Sequence, residues 1–288
     1  MFMKTAVVLV LYHPDWNQIV RLVSDIQRSV HTILLMDNTE SENIPENYPP
    51  ALSTLTDVRY IPFGANVGIA AAQNRAVDEL RKIKTEFVLF LDQDSQPSPQ
   101  MIDRLVEYSC DLARAGQRVA AIGPRIDRDP TETDRRALDS KLVYSQVETL
   151  IASGMLVKLD AIDAIGRFDD LLFIDHVETD WLFRAKKQGY QVFQAHHIWM
   201  KHALGEHTLS VQLHRRFQIA LHRPDRYFYQ IRTLIWLLRR RTISLPWGLG
   251  RLSKTVMIAL LCVITQTDKP AYLQSIKKGL HAGFVKGI

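Results

Sequence analysis

The sequence predicts an α/β fold, a mostly parallel sheet flanked by helices, with a helical C-terminal extension. Three observations lead there. Short strand-like runs recur at Lys4–Leu11, Thr32–Met36, Val58–Pro62, Phe87–Leu91 and Val119–Gly123, and the continuous apolar run Lys4–Leu11 is as expected of a strand buried on both faces. Stretches with helical spacing separate most of them, and this strand–helix alternation implies a mostly parallel sheet. Beyond about residue 208 the apolar spacing turns helical.

The elements follow in order. His13-Pro14-Asp15 breaks the first strand, and Asp15 can cap a helix over 16–29 that puts Trp16, Ile19, Val20, Val23 and Ile26 on one face. Residues 41–57 carry three prolines and read as loop. An alanine-rich helix is expected from Ile69 to Lys82 and another over Met101–Ala115. Residues 127–140, DRDPTETDRRALDS, read as a charged, mobile excursion. One or two strands are expected in 143–158, a short helix at Leu159–Ile165, a helix closing at Gly189, then a further strand. Helices are expected at 210–222, 225–240, 247–265 and 270–283, which divides the chain into an α/β domain, 1–208, and a helical, basic region, 209–288.

Composition narrows the class. The chain has 288 residues, 47% hydrophobic and 23% charged, enough for a sizeable core. Cys110 and Cys262 are far apart, with no zinc-type spacing, which fits a reducing compartment. The N-terminal apolar stretch reads as a strand rather than a leader. No run is expected to reach the ~20 apolar residues of a membrane span. The net charge of +5 hides an asymmetry: from Arg184 onward 18 Lys and Arg face three acids. Such a half suits an anionic surface or a phosphorylated substrate. No nucleic-acid recognition motif is present.

Parallel sheets bind ligands beyond the carboxyl ends of their strands. Polar residues fall at those ends: Tyr12-His13, Asp37-Asn38, Asn66 and Asp92-Gln93-Asp94. The last group ends "FVLFLDQDSQPSP" with two carboxylates one residue apart. They repel each other unless a cation sits between them, and Mg²⁺ or Mn²⁺ carrying a diphosphate meets that need. A dehalogenase-type phosphatase would want Thr or Val where Gln96 stands, on the first strand. A pyrophosphorylase-type enzyme would want a Gly-rich, Arg-bearing loop where Tyr-His-Pro-Asp stands. Asp37 can accept from the ring N–H of a uracil or thymine, supported by Asn38, or simply form a turn. The small residues of "GANVGIAAAQNRA", 64–76, suit close approach of a nucleotide, tight packing of helix on sheet, or both.

LVLYHPD, LLMDNT, NVGIAAAQNRA, FLDQDSQPSP, ASGMLV, GRFDDLLFIDHVETDWLFRAKKQGY and KHALGEH occur in this order between residues 9 and 207, within a resemblance that covers roughly residues 4–240. The set resembles inverting family-2 glycosyltransferases of the GT-A fold, and among them bacterial rhamnosyltransferases. The resemblance implies that Tyr12, Asp37 and Asn38 hold the pyrimidine nucleotide. Asn66, Gly68 and Asn74 would line its ribose and diphosphate, with Gln93 in the same strand-end group. Asp92 would contact the ribose or the metal, Asp94 would bind the metal directly, His202 would reach metal or diphosphate, and Ser153 and Gly154 would adjoin the donor sugar or acceptor. The donor implied is dTDP-L-rhamnose. The acceptor implied is a glycan or lipid-linked glycan of the bacterial surface, and the place is the cytoplasmic face of the membrane. Another UDP- or GDP-linked sugar, or a non-catalytic membrane scaffold, are the alternatives.

Inversion by direct displacement needs a carboxylate to take the acceptor proton. Registering the resemblance on Trp181-Leu182-Phe183-Arg184-Ala185 ranks Glu178 first, Asp180 second and Asp175 third. Residues two apart diverge on a helix, so only one of Glu178 and Asp180 faces the acceptor. An acidic helix start stabilised by the dipole is the plainer account of the other. The tail interleaves Arg with Phe, Tyr, Trp and Leu, then runs LPWGLGRLSKTVMIALLCVIT. This suits an amphipathic helix lying on an anionic membrane, a helical packing layer, or a homodimer interface.

Overall fold

A computed structural model describes residues 3–43, 49–55, 57–127, 143–201, 207–212 and 216–285. They form two compact units, one of 1–173 with 181–202 and the other of 174–180 with 203–288.

The first unit is built on a nine-stranded sheet. Its strands are β1 (Thr5–Leu11), β2 (Thr32–Glu40), β3 (Val58–Gly64), β4 (Phe87–Asp92), β5 (Gln96–Pro97), β6 (Val119–Asp127), β7 (Tyr144–Gln146), β8 (Met155–Lys158) and β9 (Gln191–Lys201). The order is β3-β2-β1-β4-β8-β6-β9-β5, with β7 also on β9. The expected parallel core is β3-β2-β1-β4. Beyond β4 the sheet is mixed: β8 runs antiparallel to both β4 and β6, whereas β6 and β9 are parallel. The apolar runs are continuous because both faces are covered. Ala6, Val7, Val8 and Leu9 of β1 are fully buried, as are Leu34, Leu35 and Met36 of β2.

The helices follow local rules. In α1 (Trp16–Ile26) Asp15 accepts from the backbone N–H groups of Asn17 and Gln18, at 2.9 and 3.4 Å. Such a cap stabilises by about 1 kcal/mol. Ile19, Leu22, Val23 and Ile26 of this helix are buried. A helical turn, α2 (Pro50–Ser53), lies in the proline-rich loop, and α3 (Ile69–Lys82) starts from Gly68 at φ 86°. A Cβ at Gly68 would lie 2.6 Å from the Phe173 ring and 2.7 Å from its carbonyl oxygen, so only glycine fits. Two more helices, α4 (Pro99–Arg114) and α5 (Leu159–Ile165), are where the spacing predicts them, and α6 (Val177–Lys187) follows.

In the second unit the expected helix over 210–222 is replaced by an antiparallel hairpin, β10 (His207–Gln212) with β11 (Arg216–Leu221). The stretch TLSVQ alternates polar and apolar residues with period two. That is a strand pattern, and it outweighs the helical spacing on either side. Three helices follow, α7 (Pro224–Arg239), α8 (Leu245–Thr265) and α9 (Lys269–Val285). Leu221, Tyr227, Ile231, Ile235, Ala259, Cys262, Tyr272 and Ile276 form their common core. The expectation that no run is long enough for a membrane span is corrected by α8. By length and composition this helix qualifies, with only 22% of its apolar window buried. Arg251 and Lys254 interrupt it without ending it. The charged excursion expected at 127–140 lies, beyond Asp127, outside the described residues.

Candidate active site

In the first unit the strand ends are tied to one another. The backbone N–H of Tyr12, just past β1, donates to Gln93 Oε1 at 2.9 Å, and Gln93 Nε2 donates back to the Tyr12 carbonyl at 3.3 Å. Gln93 thus locks the end of β4 to the end of β1. The exposed Tyr12 hydroxyl donates to Glu40 Oε1 at 3.1 Å, and His13 Nε2 lies 3.1 Å from Glu40 Oε2. Glu40 is held below the usual carboxylate range, first by a backbone N–H and then by the Tyr12 hydroxyl and His13. His13 sits at φ 46°, and its N–H donates to Thr39 Oγ1 at 2.9 Å.

Several residues expected to line the nucleotide make hydrogen bonds to other parts of the protein. Asp37 is fully buried; its oxygens accept from Tyr60 Oη at 2.7 Å and the Thr39 N–H at 2.9 Å. Asn38 is buried and clamps the glycine loop, donating to the Gly68 carbonyl and accepting from the Val67 N–H, both at 3.3 Å. Asn66 accepts from the Gly68 N–H at 3.1 Å. Asn74, in α3, donates to the Phe168 carbonyl at 2.8 Å and Asp170 Oδ1 at 2.6 Å, and accepts from the Phe168 N–H at 3.1 Å.

Asp92 closes β4 and begins a turn in which the Ser95 N–H donates to the Asp92 carbonyl at 3.1 Å. The Asp92 N–H donates to Ser153 Oγ at 3.3 Å, and Ser153 and Ser95 share a hydroxyl–hydroxyl hydrogen bond. Gly154, at φ 87°, donates its N–H to the Phe90 carbonyl at 2.8 Å, and a Cβ there would lie 2.9 Å from the Pro124 ring. Ser153 and Gly154 therefore fasten their loop to the end of β4. Asp92 and Asp94, half-buried in this turn, are two hard oxygen donors of the kind Mg²⁺ or Mn²⁺ takes from protein, the rest coming from phosphate and water. Among the described residues no group of three or more His, Cys, Asp or Glu is positioned to hold a metal. His202 lies outside the described residues.

In the second unit the three acids differ. Asp180 is only 3% exposed. Glu178 is half-buried, and its Oε1 accepts from Thr179 Oγ1 at 3.2 Å. Asp175 is gripped by Arg226, with Nε to Oδ2 at 2.8 Å and Nη2 to Oδ1 at 2.7 Å. His176 Nδ1 lies 3.4 Å from Thr179 Oγ1. Loss of hydration pushes the His176 pKa down to about 4, helped by Arg251 and Arg226 and opposed by Asp175.

Sequence reasoning passed over Thr39, Glu40, Tyr60, Ser95, Asp170 and Arg226. Thr39 and Glu40 carried a signal, since they continue the polar end of β2. Tyr60, Asp170 and Arg226 carried none, because their partners lie 23, 96 and 51 residues away.

A mixed sheet flanked by helices, its parallel strand ends carrying a paired-carboxylate turn, has the architecture of the GT-A class. The glycosyl transferase family 2 model matches residues 7–166, more than half of the chain, and the chain belongs to that family. The chain is similar to a dTDP-rhamnosyl transferase, RfbF, of Shigella flexneri, at 26% identity over 93% of this chain and 90% of that protein. It is also similar to an N-acetylglucosaminyl-diphospho-decaprenol L-rhamnosyltransferase of Mycobacterium tuberculosis, at 25% identity over 55% of this chain and 62% of that one. Among solved structures, the S. aureus TarS 1–349 complex with UDP-GlcNAc shares the fold. Its TM-score is 0.55 at 12% identity, covering 97% of this chain and 81% of that one. GalNAc-T7 with UDP, GalNAc and Mn²⁺ gives a TM-score of 0.56 at 14% identity, over 70% of this chain and 44% of that one.

Proposed function

We propose that this glycosyltransferase moves L-rhamnose from dTDP-L-rhamnose to a hydroxyl of a lipid-linked glycan, at the cytoplasmic face of a bacterial membrane, with inversion. The observation that carries the transfer chemistry is the Asp92–Asp94 turn at the carboxyl edge of the parallel strands, braced by Gln93 and Ser153. The donor sugar rests on the rhamnosyltransferase named among the relatives, which is matched over nearly the whole of both chains.

In this reading residues 1–208 bind the donor. Tyr12 and the Thr39–Glu40 end of β2 border the nucleoside. Asp37, Asn38, Asn66, Gly68 and Asn74 shape that border from behind. Asp92 and Asp94 would hold Mg²⁺ or Mn²⁺, which would supply charge neutralisation for the departing diphosphate, and His202 would reach the metal or the diphosphate. Glu178 takes the acceptor hydroxyl proton as the oxygen attacks the anomeric carbon and the bond from that carbon to the diphosphate oxygen breaks. The burial of Asp180 and the engagement of Asp175 favour Glu178 over both. The region 209–288 keeps the enzyme on an anionic membrane. Leu245, Leu249, Met257, Leu260 and Ile264 are exposed along α8, and the region is strongly basic.

The test is a donor screen. With Mn²⁺ or Mg²⁺ present, dTDP-L-rhamnose is expected to raise the melting temperature and UDP-glucose to leave it unchanged. The reverse result would discard the rhamnose reading.

A further inference from the structure

The turn into α6 is held in an unusual way. Asp175 and His176 are consecutive non-glycine residues with φ of 64° and 61°. Asp and His enter that left-handed conformation more readily than most L residues but still at a cost, so two in succession are held there by their surroundings. The restraint on Asp175 comes from α7. Arg226 forms a two-pronged pair with it, and Gln230, four residues on and on the same helix face, brings Nε2 to 3.5 Å of Oδ1. The Asp175 side chain is 10% exposed and that of Arg226 37%. Both carboxylate oxygens already accept guanidinium N–H groups, so a sugar hydroxyl would have to displace the fork to use either. Three residues further on stands Glu178, reached through the sequence His176, Thr179, Glu178 of neighbouring polar atoms.

We infer that Asp175 and Arg226 are positioning residues: their ion pair fixes the left-handed turn at Asp175-His176 and with it the direction in which Glu178 leaves α6. This rests on Glu178 being the proton acceptor. It gives Asp175 a task distinct from proton transfer and assigns one to Arg226, on a helix otherwise concerned with packing.

The experiment is a double-mutant cycle on the full-length enzyme with Asp175→Asn, Arg226→Gln and the pair. Each single variant is expected to lower kcat about 100-fold, the scale of a small misplacement of a catalytic group. Donor KM should stay within about twofold, since ground-state binding is untouched. The double variant should lose no more than the worse single one. Arg226→Lys should recover only part of the loss, because an ammonium lacks the fork. The acid limb of the kcat–pH profile should stay in place in Asp175→Asn. Losses that multiply in the double variant, an unchanged kcat in Arg226→Gln, or an acid limb that vanishes with Asp175 would each overturn the inference. Glu178→Gln is measured alongside: full activity there would sink the reading of Glu178 without bearing on whether the pair is coupled.

Discussion

Replacing Asn74 by alanine distinguishes a ligand-lining residue from an internal brace. Asn74 is 2% exposed, and it ties α3 to the segment at Phe168–Asp170 by three hydrogen bonds of 2.6–3.1 Å. Truncation removes all three and leaves the N–H and C=O of Phe168 without that partner beside a 3% exposed side chain. A net hydrogen bond is worth about 1 kcal/mol and a stranded buried polar group costs about 1–3 kcal/mol. Some water entry offsets this, so the expected loss is roughly 2–4 kcal/mol, or about 4–12 °C in Tm for a protein of this size. Asn74→Asp should do no better: it keeps the acceptor, loses both donated bonds, and sets a second carboxylate against Asp170. Urea and thermal unfolding of the ligand-free protein read this directly. An unchanged midpoint together with a raised donor KM would refute the brace and return Asn74 to the ligand.

Other expectations follow from the same structure. Asp94→Ala should abolish metal-dependent turnover and the joint thermal stabilisation by Mn²⁺ and dTDP; unaltered metal titration curves would remove Asp94 from the ion. Leu249→Asp, Met257→Asp and Ile264→Asp, made together on the exposed face of α8, should weaken co-sedimentation with anionic vesicles at least about 100-fold, given the area each side chain would bury in lipid. Undiminished binding would assign membrane contact elsewhere. The His176 pKa, depressed from 6.5 to about 4, gives a signed prediction. Between those values the unfolded chain takes up a proton that the folded one refuses. Stability is therefore complete above pH 6.5 and falls as the pH drops toward 4, by at most about 3 kcal/mol. His176→Gln should flatten that part of the curve; an equally steep fall in the variant would assign it to other groups.

The parallel strands β1, β2 and β4 were legible in the residue order, because strands buried on both faces are apolar along most of their length; β3, an edge strand that is only partly buried, carries Arg59. The capped helix behind Asp15, the helix Leu159–Ile165 and the carboxylates closing β4 were legible for the same reason: each is set by neighbours a few positions away. Residues 210–222 were misread as helix because a short period-two stretch sits between strong helical patterns. That polar residues gather at the strand ends was legible, but not which hydrogen bonds each of them makes. Asn38, Asn74 and Gln93 carry the side chains of ligand-binding residues, and their hydrogen bonds go to backbone 30, 94 and 81 residues distant. Likewise Asp175, Glu178 and Asp180 are equivalent as letters; burial of one and capture of another by Arg226 separates them. Hydrophobic periodicity is written locally, since it records only which side of an element faces water. Which donor meets which acceptor depends on where distant segments come to rest, and that is settled only when the chain has folded.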